Sequence, residues 1–343
     1  DLTDVLFVAY MGKATMQLKR NGLPAKTIHS TCYTFEKVVA RDEDGKMIIL
    51  PNGRPKMTFE FVLKDNLPPH IKLIVVDEAG MVSEKYAKDL LSFGLPVVVL
   101  GDLNQLDPPF GKSFFLKNPD VILTELMRQS ENDPIVWLTQ RVLQNKPLPI
   151  GVYGKSAVIT KKDLNEFTMK SADIILTSTN KLRHNVNTIF REKFEKYTDL
   201  NFPHVGEKVI CRKNNYNKVI DDNISLVNGL SGIVEYVDKS SFDGKKLCMD
   251  FRPDFLDTKL FKNLYIDYNY LNRPPSSELE MDYSTLFLDK FEYAYAITTH
   301  LSQGSQWDNV LVLAEQNSFS PGVTKKILYT AISRASKQVT VSI

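Results

Sequence analysis

Short apolar runs recur along the chain, each rich in Val and Ile: Val5-Leu6-Phe7-Val8-Ala9-Tyr10, Ile71-Lys72-Leu73-Ile74-Val75-Val76, Val97-Val98-Val99-Leu100, Ile174-Ile175-Leu176-Thr177, Val310-Leu311-Val312-Leu313 and Val339-Thr340-Val341. Runs this short and this β-branched read as strands buried on both faces. The helix-like stretches between them imply parallel sheets and an α/β fold. The runs before Asp77 and before Gly101 end in polar residues. Ligands of open α/β sheets sit at such carboxyl ends of strands.

Two stretches break the rhythm. Residues 38–63 hold Met47-Ile48-Ile49-Leu50, then Pro51-Asn52-Gly53-Arg54, then Thr58-Phe59-Glu60-Phe61-Val62, with the Asn-Gly marking a hairpin. Residues 205–288 hold several short strand patterns, Lys208–Cys211, Ser231–Val237 and Leu247–Phe251, punctuated by Gly229 and Gly244. That pattern predicts a small β-barrel inserted in an α/β domain. A polar stretch at 272–284, with Pro274-Pro275-Ser276-Ser277, reads as an extended loop.

At 343 residues the chain is long enough for two domains, each with its own core. It is 43% hydrophobic and 24% charged, and no apolar run approaches the ~20 residues needed to span a bilayer. The net charge of +2, from 43 basic and 41 acidic side chains, neither demands nor excludes nucleic acid. Tracking a strand needs a local basic groove rather than a basic whole. Cys32, Cys211 and Cys248 match no zinc or disulfide spacing, which makes a reducing cytosol the expected compartment.

Five segments carry chemistry. Asp77-Glu78-Ala79-Gly80 follows a buried strand, so Asp77 is placed to hold Mg²⁺ through water and Glu78 to polarise an attacking water. Gly101-Asp102-Leu103-Asn104-Gln105 follows another, and a neutral amide there suits sensing a terminal phosphate. The others are Leu123–Gln129 with Arg128, Tyr295–Gln306, and Tyr329-Thr330-Ala331-Ile332-Ser333-Arg334-Ala335. Taken singly, each also reads as ordinary structure: an acidic turn, surface arginines, a core histidine at 300, a turn at Gly304.

In this order, the segments resemble the superfamily 1 helicases. Asp77-Glu78 resembles motif II, Gly101–Pro109 motif III, Arg128 the arginine of motif IV, Thr298–Gln306 motif V and Tyr329–Ala335 motif VI. Ala9–Ala14 resembles motif Ia, and Thr27-Ile28-His29-Ser30 motif Ib. The wording of the last two numbered motifs is typical of the RecD-like, 5′-to-3′ branch. The resemblance implies two RecA-like domains of the P-loop NTPase type, at 1–130 and 131–343, the first carrying the β-hairpin and the second an SH3-like barrel.

By the same resemblance, ATP and Mg²⁺ are the cofactors. Asp77, Glu78, Gln105, Arg128 and Arg334 are the catalytic set, with the arginines neutralising charge on the γ-phosphate. Gly101, Asp102, Gly304 and Ser305 line the nucleotide cleft. Gly12, Lys13, Thr27, His29, His300 and Ser302 belong to the strand-binding face. Single-stranded DNA, duplex junctions and nuclease, recombination or replication proteins are the implied partners, with no membrane. Two other classes fit: an RNA helicase of the same superfamily, and a non-catalytic strand-binding subunit of a helicase–nuclease complex.

No segment reads G-x-x-x-x-G-K-[ST], the loop that cradles β and γ phosphates. Gly111-Lys112-Ser113 and Gly154-Lys155-Ser156 end correctly, but Leu106 and Pro149 stand where the first glycine belongs. Because the chain starts at Asp1, close to motif Ia, it is expected to be a truncated motor that binds ATP weakly and does not unwind DNA alone.

Overall fold

The computed structural model describes residues 1–42, 44–50, 52–108, 111–123, 133–220, 224–273, 283–315 and 320–343. Two parallel sheets organise it. The first runs in the order Lys26–Thr27, Val5–Ala9, Leu73–Asp77, Val97–Val99. All three of its pairings are parallel, and Ala9 stands level with Asp77. Its core joins Leu6, Val8, Ile74 and Val76 to Ile28 and Leu90 from the helices Ile28–Cys32 and Glu84–Leu91.

The expectation that 97–100 is buried on both faces fails. Val98 is 46% exposed and Leu100 52%. The Val97–Val99 strand is the edge of its sheet, and a short β-branched run looks the same in sequence at an edge as in the middle.

The second sheet runs Ala296–Thr298, Ile174–Thr177, Trp307–Leu313, Ala335–Ser342, Ser156–Ile159, Gly151–Tyr153. It is parallel except for its last pair. Leu138 and Val142 from the helix Pro134–Leu143, and Ala331 and Ile332 from the helix Pro321–Ile332, pack on Val310, Val339 and Val341. Asp133 caps the first of these helices, accepting from the Ile135 N–H at 2.7 Å, with Pro134 in the first turn where a missing N–H costs nothing.

The hairpin starts earlier than its sequence signal. Tyr33–Val39 pairs antiparallel with Met57–Leu63, from Tyr33 opposite Leu63 to Val39 opposite Met57. Its tip carries two turns rather than one. Ile48 N–H donates to Ala40 O and Lys56 N–H to Ile48 O, so residues 47–50 fold back between the strands. Gly45 and Gly53, with φ of 78° and 77°, allow those turns. The Asn52-Gly53 signal marks only the second.

The predicted β insertion is present as an antiparallel module. Its five strands run in the order Phe261–Asp267, Lys246–Pro253, Ser231–Asp238, Lys208–Cys211, Phe291–Tyr293. The two edges meet, because Asp267 N–H donates to Asp289 O at 2.8 Å and Asp289 N–H to Tyr265 O at 2.9 Å. The module therefore extends to Tyr293, past the expected limit at 288. Val209, Val234, Leu247, Phe251 and Phe291 fill it. A short ribbon, Asn215–Ile220 with Ile224–Leu226, projects from it. Among the described residues, no helix is long and apolar enough to cross a membrane.

Candidate active site and strand-binding face

Asp77 is the last residue of its strand, and the chain turns at once through Glu78, whose φ of 51° and ψ of 45° are left-handed. A non-glycine residue there carries backbone strain of order 1–3 kcal/mol and persists only where surroundings enforce it. Here the next strand enforces it, since Ala79 N–H donates to Leu100 O at 3.0 Å. Gly101 makes the approach possible: a Cβ on it would lie 3.3 Å from Ala79 N and 3.1 Å from Leu116.

Residues 102–107 then cross to the second sheet. Asp102 accepts from the Tyr329 hydroxyl at 2.8 Å, Leu106 N–H donates to Thr330 Oγ1 at 3.1 Å, and Gln303 Nε2 donates to Leu106 O at 3.2 Å. Lys326 pairs with Asp107 at 2.8 Å. Burial, reinforced by the Asp102 carboxylate, keeps the Tyr329 phenol protonated well above its ordinary range. Arg334, buried, donates through Nε to Thr330 O at 3.2 Å and through Nη1 to Ser305 O at 3.4 Å. Gly304, with φ of 70°, lets this loop pass within van der Waals contact of Ala14 in the first sheet's layer.

The expected catalytic residues Asp77, Glu78, Gln105 and Arg334, and the expected cleft residues Gly101, Asp102, Gly304 and Ser305, thus gather at one seam between the sheets. Arg128 lies outside the described residues. A cavity of about 260 Å³ opens there, walled by Gly80, Asp102, Gln105, Asp107, Lys112 and Lys326. Gln105 Oε1, Gln303 Oε1 and Ser305 Oγ are buried without a hydrogen-bond partner. Unpaired buried polar atoms are costly, and the one on Gln105, which lines the cavity, suits a polar ligand there. Lys112 and Ser113, set aside in sequence as a false phosphate loop, stand in this wall, with Ser113 Oγ donating to Ala79 O at 3.1 Å. Tyr329 and Lys326 carry no sequence signal beyond their place on the motif VI helix.

The residues expected on the strand-binding face divide. Thr27 caps its helix and its hydroxyl meets that of Tyr216, from the module's ribbon, at 2.8 Å. His29 sits 2.9 Å from the Tyr86 hydroxyl and edge-on to Phe61 of the hairpin, centroids 5.1 Å apart. Burial, with Lys85 nearby, lowers the His29 pKa, and burial alone lowers that of His300. Gly12 and Lys13 face the module rather than an open groove. A Cβ on Gly12 would lie 2.8 Å from both Asn214 Oδ1 and Val227 Cβ, and Lys13 Nζ lies 4.8 Å from the Trp307 ring centre. Ser302 is fully buried, its hydroxyl donating to Thr299 O at 2.7 Å. The tight turn at 298–305 points it inward, so it stands behind the face rather than on it.

Two family models and several known proteins match parts or most of this chain. Residues 3–160 match the AAA domain family, and residues 293–342 match the UvrD-like helicase C-terminal domain. The ATP-dependent RecD2 DNA helicase of Deinococcus radiodurans is 24% identical over 298 residues, which is 78% of this chain and 36% of that protein. A Pif1 helicase from Bacteroides, solved with ADP-AlF3 and ssDNA, superposes with a TM-score of 0.52 at 17% identity, covering 98% of this chain and 82% of that one. A second Pif1 structure, from work on unwinding at forked dsDNA by two coordinating Pif1 helicases, gives a TM-score of 0.55 at 17% identity, covering 98% and 81%. Together these likenesses support a helicase of superfamily 1B.

The chain spans about a third of the length of its RecD2 relative. The donor set at the seam fits a nucleotide: an acidic pair at a strand end, the unpaired amide oxygen of Gln105, and Lys112 and Lys326 in the cavity wall for phosphate. Among the described residues no three His, Cys, Asp or Glu side chains cluster as metal ligands. A Mg²⁺ here would thus be held largely by water and phosphate oxygens, its usual preference.

Proposed function

We propose that this chain is the motor core of an ATP-dependent DNA helicase that moves 5′ to 3′ along a single strand. The observation that carries the reading is the bonded contact of the 102–107 loop with both Gln303 and the Pro321–Ile332 helix, beside unpaired buried polar atoms. A nucleotide at that seam touches both sheets at once, so its presence and loss couple to their separation. We read 1–130 and 131–343 as the two RecA-like domains, the closed module as an SH3-like barrel, and the hairpin as the element that meets the duplex.

In this reading Asp77 orients the water shell of Mg²⁺, and Glu78 takes a proton from the attacking water. Gln105 Oε1 accepts from that water or senses the terminal phosphate. Arg334 carries positive charge toward the γ-phosphate once its loop contacts exchange. Bound ATP and Mg²⁺ supply the phosphoryl group and its charge neutralisation. The sequence holds no G-x-x-x-x-G-K-[ST] loop, so ATP turnover by this chain by itself is expected to be weak.

Phe61, 54% exposed beside His29, is the aromatic best placed to stack on a base. The test is ATP turnover by the complete gene product with oligothymidine, an RNA strand of equal length, or neither. DNA is expected to stimulate turnover more than RNA, and Glu78→Gln to cut it by about 10²-fold or more, as loss of a general base does. Turnover indifferent to both strands and to Glu78→Gln would refute the motor.

A further inference from the structure

Three arginines distant in sequence converge on one carboxylate in the crevice between the helix Asn180–Ile189 and the β-module. Arg183 Nη1 donates to Glu292 Oε2, Arg273 Nη2 donates to Oε1 at 2.7 Å, and Arg212 Nε stands 3.2 Å from Oε2. The Glu292 side chain is 7% exposed, and the arginines 11%, 27% and 25% in the order Arg183, Arg273, Arg212. Burial raises the Glu292 pKa, but Arg212, Arg183 and Arg273 together bring it below the ordinary carboxylate range.

A structural ion pair needs one arginine. Three guanidiniums on one carboxylate leave an excess of two positive charges in a place only partly open to water, which is costly unless water or an anion answers it. Arg183 Nε is buried and donates to nothing. His184, in the same wall, has its pKa lowered by burial and by Arg183. Among other charged groups nearby, Lys290 lies 5.1 Å from the Tyr270 ring and adds to the excess. Arg191 is paired with Glu207 and cancels, and Glu192 lines only the neighbouring cavity. The crevice has a volume of about 230 Å³ and shares His184, Arg273 and Tyr293 with that neighbour of about 290 Å³. Asn180 adds an amide at the rim. The part-exposed guanidiniums of Arg212 and Arg273 in a polar crevice match the oxygens of a phosphate, which guanidinium forks bind in a planar, charge-assisted way.

We propose that this crevice binds a phosphate group, with Arg273 and Arg212 as its contacts and Arg183 behind them. The phosphate comes either from a nucleic-acid strand lying between the second sheet and the module or from a free nucleotide. The first source rests on the helicase reading above, and the second does not. The crevice is separate from the cavity at Gln105, because Arg183, Arg212, Arg273 and Glu292 line the one and not the other.

The experiment uses Arg273→Gln, the most exposed of the three, with Arg273→Lys beside it. Binding of fluorescein-labelled oligothymidine is followed at several salt concentrations, and inorganic pyrophosphate is titrated against the thermal midpoint. Arg273→Gln is expected to weaken strand binding roughly tenfold, as for one charged hydrogen bond, and to flatten the salt dependence by about 0.7 in log–log slope. Arg273→Lys should restore the slope but not the full affinity. Pyrophosphate should raise the parent's midpoint and leave that of Arg273→Gln unmoved. An effect confined to pyrophosphate assigns the free-nucleotide source. A pyrophosphate response that needs Arg273, in a protein that binds no strand, keeps this site and removes the helicase reading. Unchanged affinity, slope and pyrophosphate response in Arg273→Gln overturn the proposal. If that variant loses its cooperative unfolding, Arg212→Gln in the same two assays decides the matter.

Discussion

At the scale of single residues, backbone permissiveness decides more than side-chain chemistry. Glu78 holds a left-handed conformation that disfavours side chains, and Gly101 lets the neighbouring loop press against it. Gly232 is the sharpest case. A Cβ there would lie 2.1 Å from Arg252 O, a backbone atom of the paired strand, and 2.7 Å from the Phe251 ring. Gly232→Ala must therefore push the Ser231–Asp238 and Lys246–Pro253 strands apart at the centre of the module. The expected loss is about 1–3 kcal/mol or more, as for overpacking a filled core, read as a fall in urea midpoint. Gly322, on the helix Pro321–Ile332, offers the control: a Cβ there meets nothing. Gly322→Ala should be neutral or stabilise by up to about 1 kcal/mol. Equal effects at both sites would show that crowding at Gly232 is not what limits it.

At the scale of elements, the hairpin is long, two-turned at its end, and apolar where it is most exposed. Met47, Ile48, Ile49 and Leu50 are 56%, 36%, 53% and 39% exposed. Its base is pinned: the Tyr33 hydroxyl donates to Asp89 Oδ2 at 2.5 Å, and Lys64 Nζ donates to Thr31 O at 2.8 Å. A rigid base and an apolar end suit a device that meets stacked bases rather than one that fills a core. Joining Ala40 to Lys56 through a short turn removes that end and leaves the paired strands intact. In the complete gene product this change should preserve strand-stimulated ATP turnover and reduce strand separation on a forked duplex by about tenfold or more. Parallel loss of both activities would place the hairpin end in the motor itself. The sequence showed this element through its Asn-Gly turn but missed its beginning. Residues 33–37 mix polar and apolar positions without a turn signal, and only their pairing with 59–63 defines them as strand.

At the scale of the whole molecule, Lys13 sits where the first layer, the second sheet and the module meet. Its ammonium lies over Trp307 of the second sheet, and Gly229 of the module lies 3.5 Å from its Cβ when given a side chain of its own. Burial lowers its pKa to about 8 from 10.5, and Asp254 opposes the shift only in part. The folded chain thus releases this proton at a lower pH than the unfolded chain does. Between about pH 8 and 10.5 the unfolded state binds more protons, so stability rises with pH across that window; below 8 both states hold the proton and the dependence vanishes. Relative to Lys13→Met, the parent should gain in denaturant midpoint from pH 8 to pH 10 and show no relative change from pH 6 to 7.5. A constant difference between the two proteins at all pH values would mean that Lys13 is solvated and that the three bodies do not close around it.

Local pattern settled a good deal of this protein. Val and Ile runs of the right length located the strands that end at Asp77 and Thr177 and the strand that holds Val310–Leu313, because burial of a strand is written residue by residue in its own side chains. Polar residues after the runs ending at Val76 and Leu100 pointed to Asp77, Glu78, Asp102 and Gln105, whereas Gly304 and Arg334 stood out only through the resemblance of their segments to helicase motifs; contacts along one seam link the six. Tertiary structure alone decided that Val98 and Leu100 lie at an edge, that Ser302 turns inward, that Thr27 meets Tyr216, and that Arg183, Arg212 and Arg273 share Glu292. Each depends on groups brought together from distant parts of the chain, or on which neighbour a strand has. Periodicity reports whether a face is apolar; it does not report what that face is pressed against.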